Sequence, residues 1–287
     1  MIALALSIFC STIIFVLFKL YKKFGIDTFQ AIVFNYFTAF IIGVALYHNE
    51  WNPNALQEQT WMFFSAGTSI LFIGLFLLMA FSSQSNGVAS TSIAVKMSMA
   101  ISLIIMIISY GEEVSALKTA AILLAILGVF LVSYSGKNKT KMASGWMLLV
   151  LFIGSGTLDF TLNLVQKHIL QSLTASLFSA ISLGLAGIIG SVVLIFRIIQ
   201  NKTQLRAKNL VAGIILGVPN FFSIYLLLLS YKTTGWTDST VLAITNVSVV
   251  LFSAVVGFLI FSEEANKRKI IGLIAAISAI VSLYFAN

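Results

Sequence analysis

Charged side chains are scarce in this sequence: Asp, Glu, Lys and Arg make up 9% of its 287 residues, against roughly 25% in soluble domains. So few charges cannot solvate an ordinary surface, which excludes a soluble globular protein. Cysteine occurs once, at Cys10, so no internal disulfide can form. Two histidines cannot supply a repeated zinc-ligand pattern. No HExxH, GxSxG or metal-ligand cluster is present, and Gly136-Lys137 lacks both the preceding glycine and the following Ser or Thr of a phosphate loop. These absences leave no catalytic residue, no metal site and no cofactor to expect, and ATP-driven transport has no support. The first apolar stretch also lacks a basic leader and a small-x-small cleavage site, so it reads as a first membrane span rather than a signal peptide.

Apolar residues are abundant, at 59% of the chain with 24 Phe and only two Pro, and the mean hydropathy is +1.04. The bilayer is the solvent this composition fits. The net charge of +8 is split into small groups of Lys and Arg between long apolar runs. Such groups are orientation signals, and nucleic acid is not an expected partner.

A helix needs about 20 apolar residues to cross the hydrocarbon core. Ten runs of that kind are expected, at 2–18, 29–47, 61–81, 88–109, 116–135, 145–165, 173–196, 210–230, 239–261 and 270–286. The longest connection, His48 to Thr60, holds a plausible turn at Asn52-Pro53-Asn54 and leaves no room for a soluble domain. The chain also repeats itself: Gly111-Glu112-Glu113 follows the fourth run and Ser262-Glu263-Glu264 the ninth, in a register that aligns Lys118 with Lys269. Ser90-Thr91 and Ser239-Thr240 open the two preceding runs, offset by a two-residue gap. Two five-helix halves, 1–136 and 145–287, are therefore expected around a linker at 137–144. Five is odd, so the second half enters from the opposite face. The expected fold is an all-α integral membrane protein with ten transmembrane helices in two inverted-topology five-helix repeats, an architecture recurrent in secondary transporters.

The stretch Ser90 to Ser135, with its Gly-Glu-Glu turn and the run from Ala121 to Val132, resembles the end of an EamA-type repeat of the drug/metabolite transporter superfamily. Ser239 to Phe285 resembles the same unit. The resemblance implies a multi-pass carrier in the cell membrane that moves a small organic solute by alternating access. The superfamily handles amino acids, nucleotide sugars, sugar phosphates and drugs, so the resemblance does not select among them. Many relatives carry a proline late in the fourth or ninth span. Neither span has one here, which leaves a helix break at those places unsupported by the sequence.

Orientation follows from charge. The loops 19–27, 137–141, 197–208 and 262–269 hold 13 Lys or Arg and fall on one face of a ten-span chain, while Lys118, Lys167 and Lys232 fall on the other. The positive-inside rule makes the rich face cytoplasmic and both termini external. Superfamily members are usually drawn with both termini inside, and the charge reading is adopted over that analogy. Asn138-Lys-Thr and Asn201-Lys-Thr match a glycosylation pattern but lie on this cytoplasmic face.

Within the spans, Lys96 is the most informative residue. Eight steps into its run place it roughly 12 Å deep, where a charge costs about 2.5 to 3.5 kcal/mol even on the lower scale. It should face a cavity or a partner, and an anchor for a carboxylate or phosphate competes with a snorkelling or neutralised structural lysine. Asp159 is the one carboxylate well inside a run. Counted from the same face it lies roughly 21 Å deep, about 9 Å from Lys96 along the axis, so a bridging solute or water fits better than a direct pair. It is the candidate proton-coupling group, against a structural hydrogen-bonded Asp beside Asn163, Lys167 and His168. Asn35, Tyr36, Asn220, Tyr225 and Asn246, the last beside Thr245, could line a solute cavity or join helices by hydrogen bonds. Gly213 to Pro219 holds a GxxxG element and a proline, readable as a hinge or as close packing with a tolerated kink. Glu112-Glu113 and Glu263-Glu264 precede the fifth and tenth helices, whose positive ends they suit and which Ser115 or Asn266 can cap. Trp61, Trp146 and Trp236 belong to interface belts.

The expected function is secondary transport of a small polar or amphipathic metabolite, as an exporter or exchanger. The expected partners are that solute, the bilayer and protons, in a monomer or homodimer. A carrier predicts a polar cavity around Lys96. An assembly or receptor-like membrane protein predicts a filled core, and an intramembrane enzyme predicts clustered acids, bases or metal ligands.

Overall fold

The computed structural model describes residues 1–47, 60–110, 115–133, 139–168, 175–236 and 238–286. Among them every regular element is a helix: α1 (Ile2–Lys23), α2 (Thr28–Tyr47), α3 (Thr60–Ser85), α4 (Val88–Met97), α5 (Met99–Tyr110), α6 (Ala116–Ser133), α7 (Lys139–His168), α8 (Ala175–Ile199), α9 (Ala207–Thr233), α10 (Asp238–Leu259) and α11 (Lys267–Ala286). Runs this apolar have no water to satisfy their peptide groups in a bilayer, so each closes its hydrogen bonds internally. Seven spans are long and apolar enough to cross a membrane, one of them Val88–Ser109, made of α4 and α5 together. Ala116–Val132 and Ile244–Leu259 are shorter apolar helices. Exposed Phe63, Val192, Ile195 and Phe252 give the bundle an apolar exterior suited to lipid.

Each of the ten expected runs coincides with a helix, with two departures. The fourth is divided at Ser98, although it holds no proline. The segment assigned to the linker is helical from Lys139, where α7 begins. The Asn52-Pro53-Asn54 turn, Gly111-Glu112-Glu113 and Asn138 lie outside the described residues. Ser115 and Asn266 do cap their helices, accepting hydrogen bonds from the N–H of Lys118 (3.2 Å) and Lys269 (2.9 Å).

The helices pair in a regular pattern. The first, α1, lies on α9 and α3 on α7, while α2 sits against both α8 and α9, α4 against α10, and α6 against α11. Small residues set these approaches. The GxxxG element faces α2: a Cβ on Gly217 would stand 2.5 Å from Thr38 Cβ and 2.8 Å from the Asn35 carbonyl oxygen. Close packing is therefore its role, and α9 runs unbroken through Pro219. Overpacking a tight seam costs about 1–3 kcal/mol, so Gly217→Leu should lower the thermal unfolding midpoint in detergent by about 5 °C or more. An unchanged midpoint would mean that this seam can open without cost.

At the face rich in Lys and Arg, polar side chains tie the α1–α2 turn to the start of α9. Thr203 Oγ1 donates to Asp27 Oδ2 (2.9 Å), Asn209 Nδ2 to Gln30 Oε1 (2.8 Å), and the Asp27 N–H to Asn209 Oδ1 (3.0 Å). Gln30 and Asn209 are buried there, and each has a partner.

Candidate functional site in the helix bundle

The break in the fourth span has a local cause. The Ser98 hydroxyl donates to the Val95 carbonyl at 2.5 Å, the acceptor that the Met99 N–H would use in an unbroken α-helix. The chain restarts with a tighter bond from the Ile101 N–H to the Ser98 carbonyl at 2.9 Å. Ser98 itself keeps right-handed helical dihedrals, φ −53° and ψ −22°, so the two helices continue closely from one to the other.

The interrupted segment meets α7 closely. A Cβ on Gly156 would stand 2.6 Å from the Ser98 carbonyl oxygen, so only glycine lets the two backbones approach. One turn further on, the Asp159 carboxyl lies 3.0 Å from Ser98 Oγ. Leu148, Leu151, Phe152 and Ser155 form the buried stripe of α7, and Asp159 continues that stripe four residues beyond Ser155. Yet Asp159 is exposed. Lys96 sits in the last turn of α4, half-buried. It forms no direct ion pair with Asp159. The roughly 9 Å axial offset expected from residue counting is largely closed, because Ser98 lies two residues beyond Lys96 and touches Asp159. From α10, Asn246 Nδ2 donates to Met99 Sδ at 3.3 Å, so a third expected residue lies beside the same break.

The other four lie apart from it. Asn35 and Tyr36 are fully buried on α2, where Asn35 Nδ2 reaches the Ile32 carbonyl at 3.4 Å. Asn35 Oδ1 and the Tyr36 hydroxyl have no hydrogen-bond partner, and the Tyr36 ring packs 5.7 Å from Phe76. Asn220 is buried with its Nδ2 unpartnered. Tyr225 stacks on Phe221 at 5.7 Å. The structure thus places Lys96, Asp159 and Asn246 around the interruption at Ser98, and Asn35, Tyr36, Asn220 and Tyr225 on α2 and α9.

Two contributors escaped the sequence reading. Ser98 has no hydropathy signature, since one serine in an apolar run is ordinary; its two-residue separation from Lys96 was the available signal. Glu263 was expected to serve its own helix. Instead it crosses to the start of α4, where its carboxylate accepts from the N–H of Val88 (2.7 Å) and Ala89 (3.4 Å) and lies 3.5 Å from Lys19 Nζ. Gly87, at φ +98°, and Gly257 leave the space for it. A carboxylate at a helix start meets free N–H groups and the positive dipole end, and here it is 5% exposed.

Residues 145–285 match the EamA-like transporter family. The second half of the chain is thus similar to this family. An uncharacterized protein of Haemophilus influenzae is 25% identical over 293 residues, covering 99% of this chain and 98% of its own length. The glucose uptake protein GlcU of Staphylococcus xylosus is 27% identical over 180 residues, covering 60% of this chain and 57% of its own. A solved crystal structure superposes with a TM-score of 0.61 over 98% of both chains at 10% identity, which shows a shared fold. This EamA-like chain is therefore a multi-pass cell-membrane protein, with seven spans among the described residues long and apolar enough to cross a bilayer.

Proposed function

We propose that this chain is a secondary transporter, working as an exporter or exchanger, that moves a small polar or amphipathic metabolite by alternating access between two inverted five-helix halves. Lys96, Asp159 and Asn246 hold the solute, and Asp159 couples its movement to protons. The observation that carries this reading is the exposure of Asp159 on the protein-facing stripe of α7, in contact with Ser98 two residues beyond Lys96. An intramembrane ionisable group facing a cavity is a functional group by default, and carriers built from inverted repeats bind near the midplane.

The pairing of helices supports the inverted halves. Exchanging α1 with α7, α2 with α8, α3 with α9, α4 with α10 and α6 with α11 carries the main contacts onto one another: α1 on α9 becomes α7 on α3, and α2 on α9 becomes α8 on α3. At the Lys-rich face Val88 to Ala94 are buried behind Glu263, which supports a sealed state on that side. We place the sealed face in the cytoplasm on charge. The name of the Staphylococcus xylosus relative makes glucose the first neutral solute to test, and Lys96 makes a carboxylate or phosphate ester the first charged one.

The test is Asp159→Asn in liposomes. Accumulation driven by a pH gradient should be lost, by about tenfold or more, while counterflow exchange persists because exchange need not change the protonation state. Gradient-driven accumulation at the wild-type level in this variant would remove Asp159 as the coupling group.

A further inference from the structure

The face rich in Lys and Arg holds a second polar feature, far in sequence from Lys96 and Asp159. A cavity of about 500 Å³ lies between the α1–α2 turn and the connection from α8 to α9. Three cations line it, Lys202, Arg206 and Lys208, and its one carboxylate is Asp27. That carboxylate is already engaged. It accepts the N–H of Phe29 (3.0 Å) and of Gln30 (3.2 Å), the Gln30 side-chain amide (3.3 Å) and the Thr203 hydroxyl (2.9 Å). Lys208 Nζ donates to the Gly25 carbonyl (2.6 Å) and closes one wall. Lys202 and Arg206 have no ion-pair partner, since the one such pair among the described residues is Lys19 with Glu263. Three cations against one carboxylate leave the lining with a net charge of +2.

The surface next to the cavity points to the kind of anion it takes. Leu210, Ile214 and Val218 follow Arg206 at four-residue steps along α9, and all three are exposed. Residues so spaced share one helix face, and in a bilayer that face meets acyl chains. Leu205 and Phe24, which adjoin lining residues in the chain, are 60% and 63% exposed. The cavity thus stands at the head of an apolar stripe, at the end of the bundle where lipid headgroups lie. We propose that it holds the phosphate of an anionic phospholipid, whose acyl chains run along the Leu210–Val218 face of α9. Basic pockets between spans suit such headgroups, and the planar fork of Arg206 matches two phosphate oxygens. A phosphodiester with no cation of its own is drawn to a lining of +2, whereas a zwitterionic headgroup brings its own positive charge. The bound phosphate bridges the α1–α2 turn and the start of α9, so the lipid should stabilise the folded chain by mass action.

The experiment uses the purified full chain in a neutral detergent, with phosphatidylglycerol, phosphatidylcholine or glycerol 3-phosphate added. Binding is read from the rise in thermal unfolding midpoint with ligand concentration, and from bound lipid counted by native mass spectrometry. Phosphatidylglycerol should bind and raise the midpoint, and the other two should bind about tenfold more weakly or less. Lys202→Gln combined with Arg206→Gln should weaken phosphatidylglycerol about tenfold or more. Neither cation has an ion-pair partner, so the midpoint without lipid should stay at the wild-type value. Lys22→Gln combined with Lys23→Gln removes the same charge from exposed side chains outside the lining. Because salt screens exposed charges at a distance, this pair should weaken binding by less than about threefold. Equal losses in the two double variants would overturn the proposal, since they would mark a general attraction of charge. Equal affinity for phosphatidylcholine would overturn it too. Binding of glycerol 3-phosphate as tight as that of phosphatidylglycerol would give the cavity to a free phosphate ester and exclude the lipid.

Discussion

Replacing Lys96 with Met is expected to leave a folded, inserted protein that no longer moves anionic solutes. The change keeps much of the aliphatic volume and removes a charge that is expensive inside a membrane, so stability should hold or rise. What is lost is the ammonium. Hydrogen bonds to a charged group are worth about 1.5–3 kcal/mol, so affinity for a carboxylate or phosphate ester should fall roughly tenfold to a hundredfold. Lys96→Arg should recover part of it, because a planar guanidinium does not reproduce a compact ammonium. Binding and flux measured together in liposomes decide the matter. Wild-type affinity in Lys96→Met would make Lys96 structural and move the search to Asn35, Asn220 and Asn246. The absence of a direct ion pair with Asp159 speaks against a purely structural lysine, since a structural pair would be closed.

The second large effect is expected at the opposite end of α4. Glu263 holds two free N–H groups of that helix and the Lys19 ammonium while almost fully buried. Removing its carboxylate leaves those donors and a half-buried cation without their partner, a loss of several kcal/mol shared between unfolding and opening of this face. In a Cys10→Ser background, a cysteine placed at the buried Ser92 should resist a membrane-impermeant maleimide. Adding Glu263→Ala should raise its labelling rate about tenfold or more, while Glu263→Gln, which keeps a carbonyl acceptor, should fall between. Equal labelling with and without the carboxylate would show that Glu263 does not seal this face.

Much of the architecture was legible because membrane helices are specified locally. An apolar run must be long enough to cross the hydrocarbon and must satisfy its own backbone, and both conditions are visible in consecutive residues. So are the costs that single out Lys96 and Asp159, and the caps at Ser115 and Asn266. The family was legible as well, from the small-residue run after an acidic turn. Partner choice was not. Hydropathy cannot distinguish a serine that bonds only its own helix from one that also meets Asp159 on another, because both are one polar atom in an apolar run. Nor can it tell whether Glu263 serves the helix it precedes or one 175 positions away in sequence. The same holds for the buried Asn35 and Tyr36, whose residue types suit a cavity and a helix seam equally. By itself, the sequence determined a polytopic helical transporter-family protein with two costly charges in its spans, because span length and charge burial are properties of each segment alone. Only the tertiary structure decided that Asp159 meets Ser98, two residues beyond Lys96, because small residues such as Gly156 set how closely two distant segments approach, and that distance is a property of the pair.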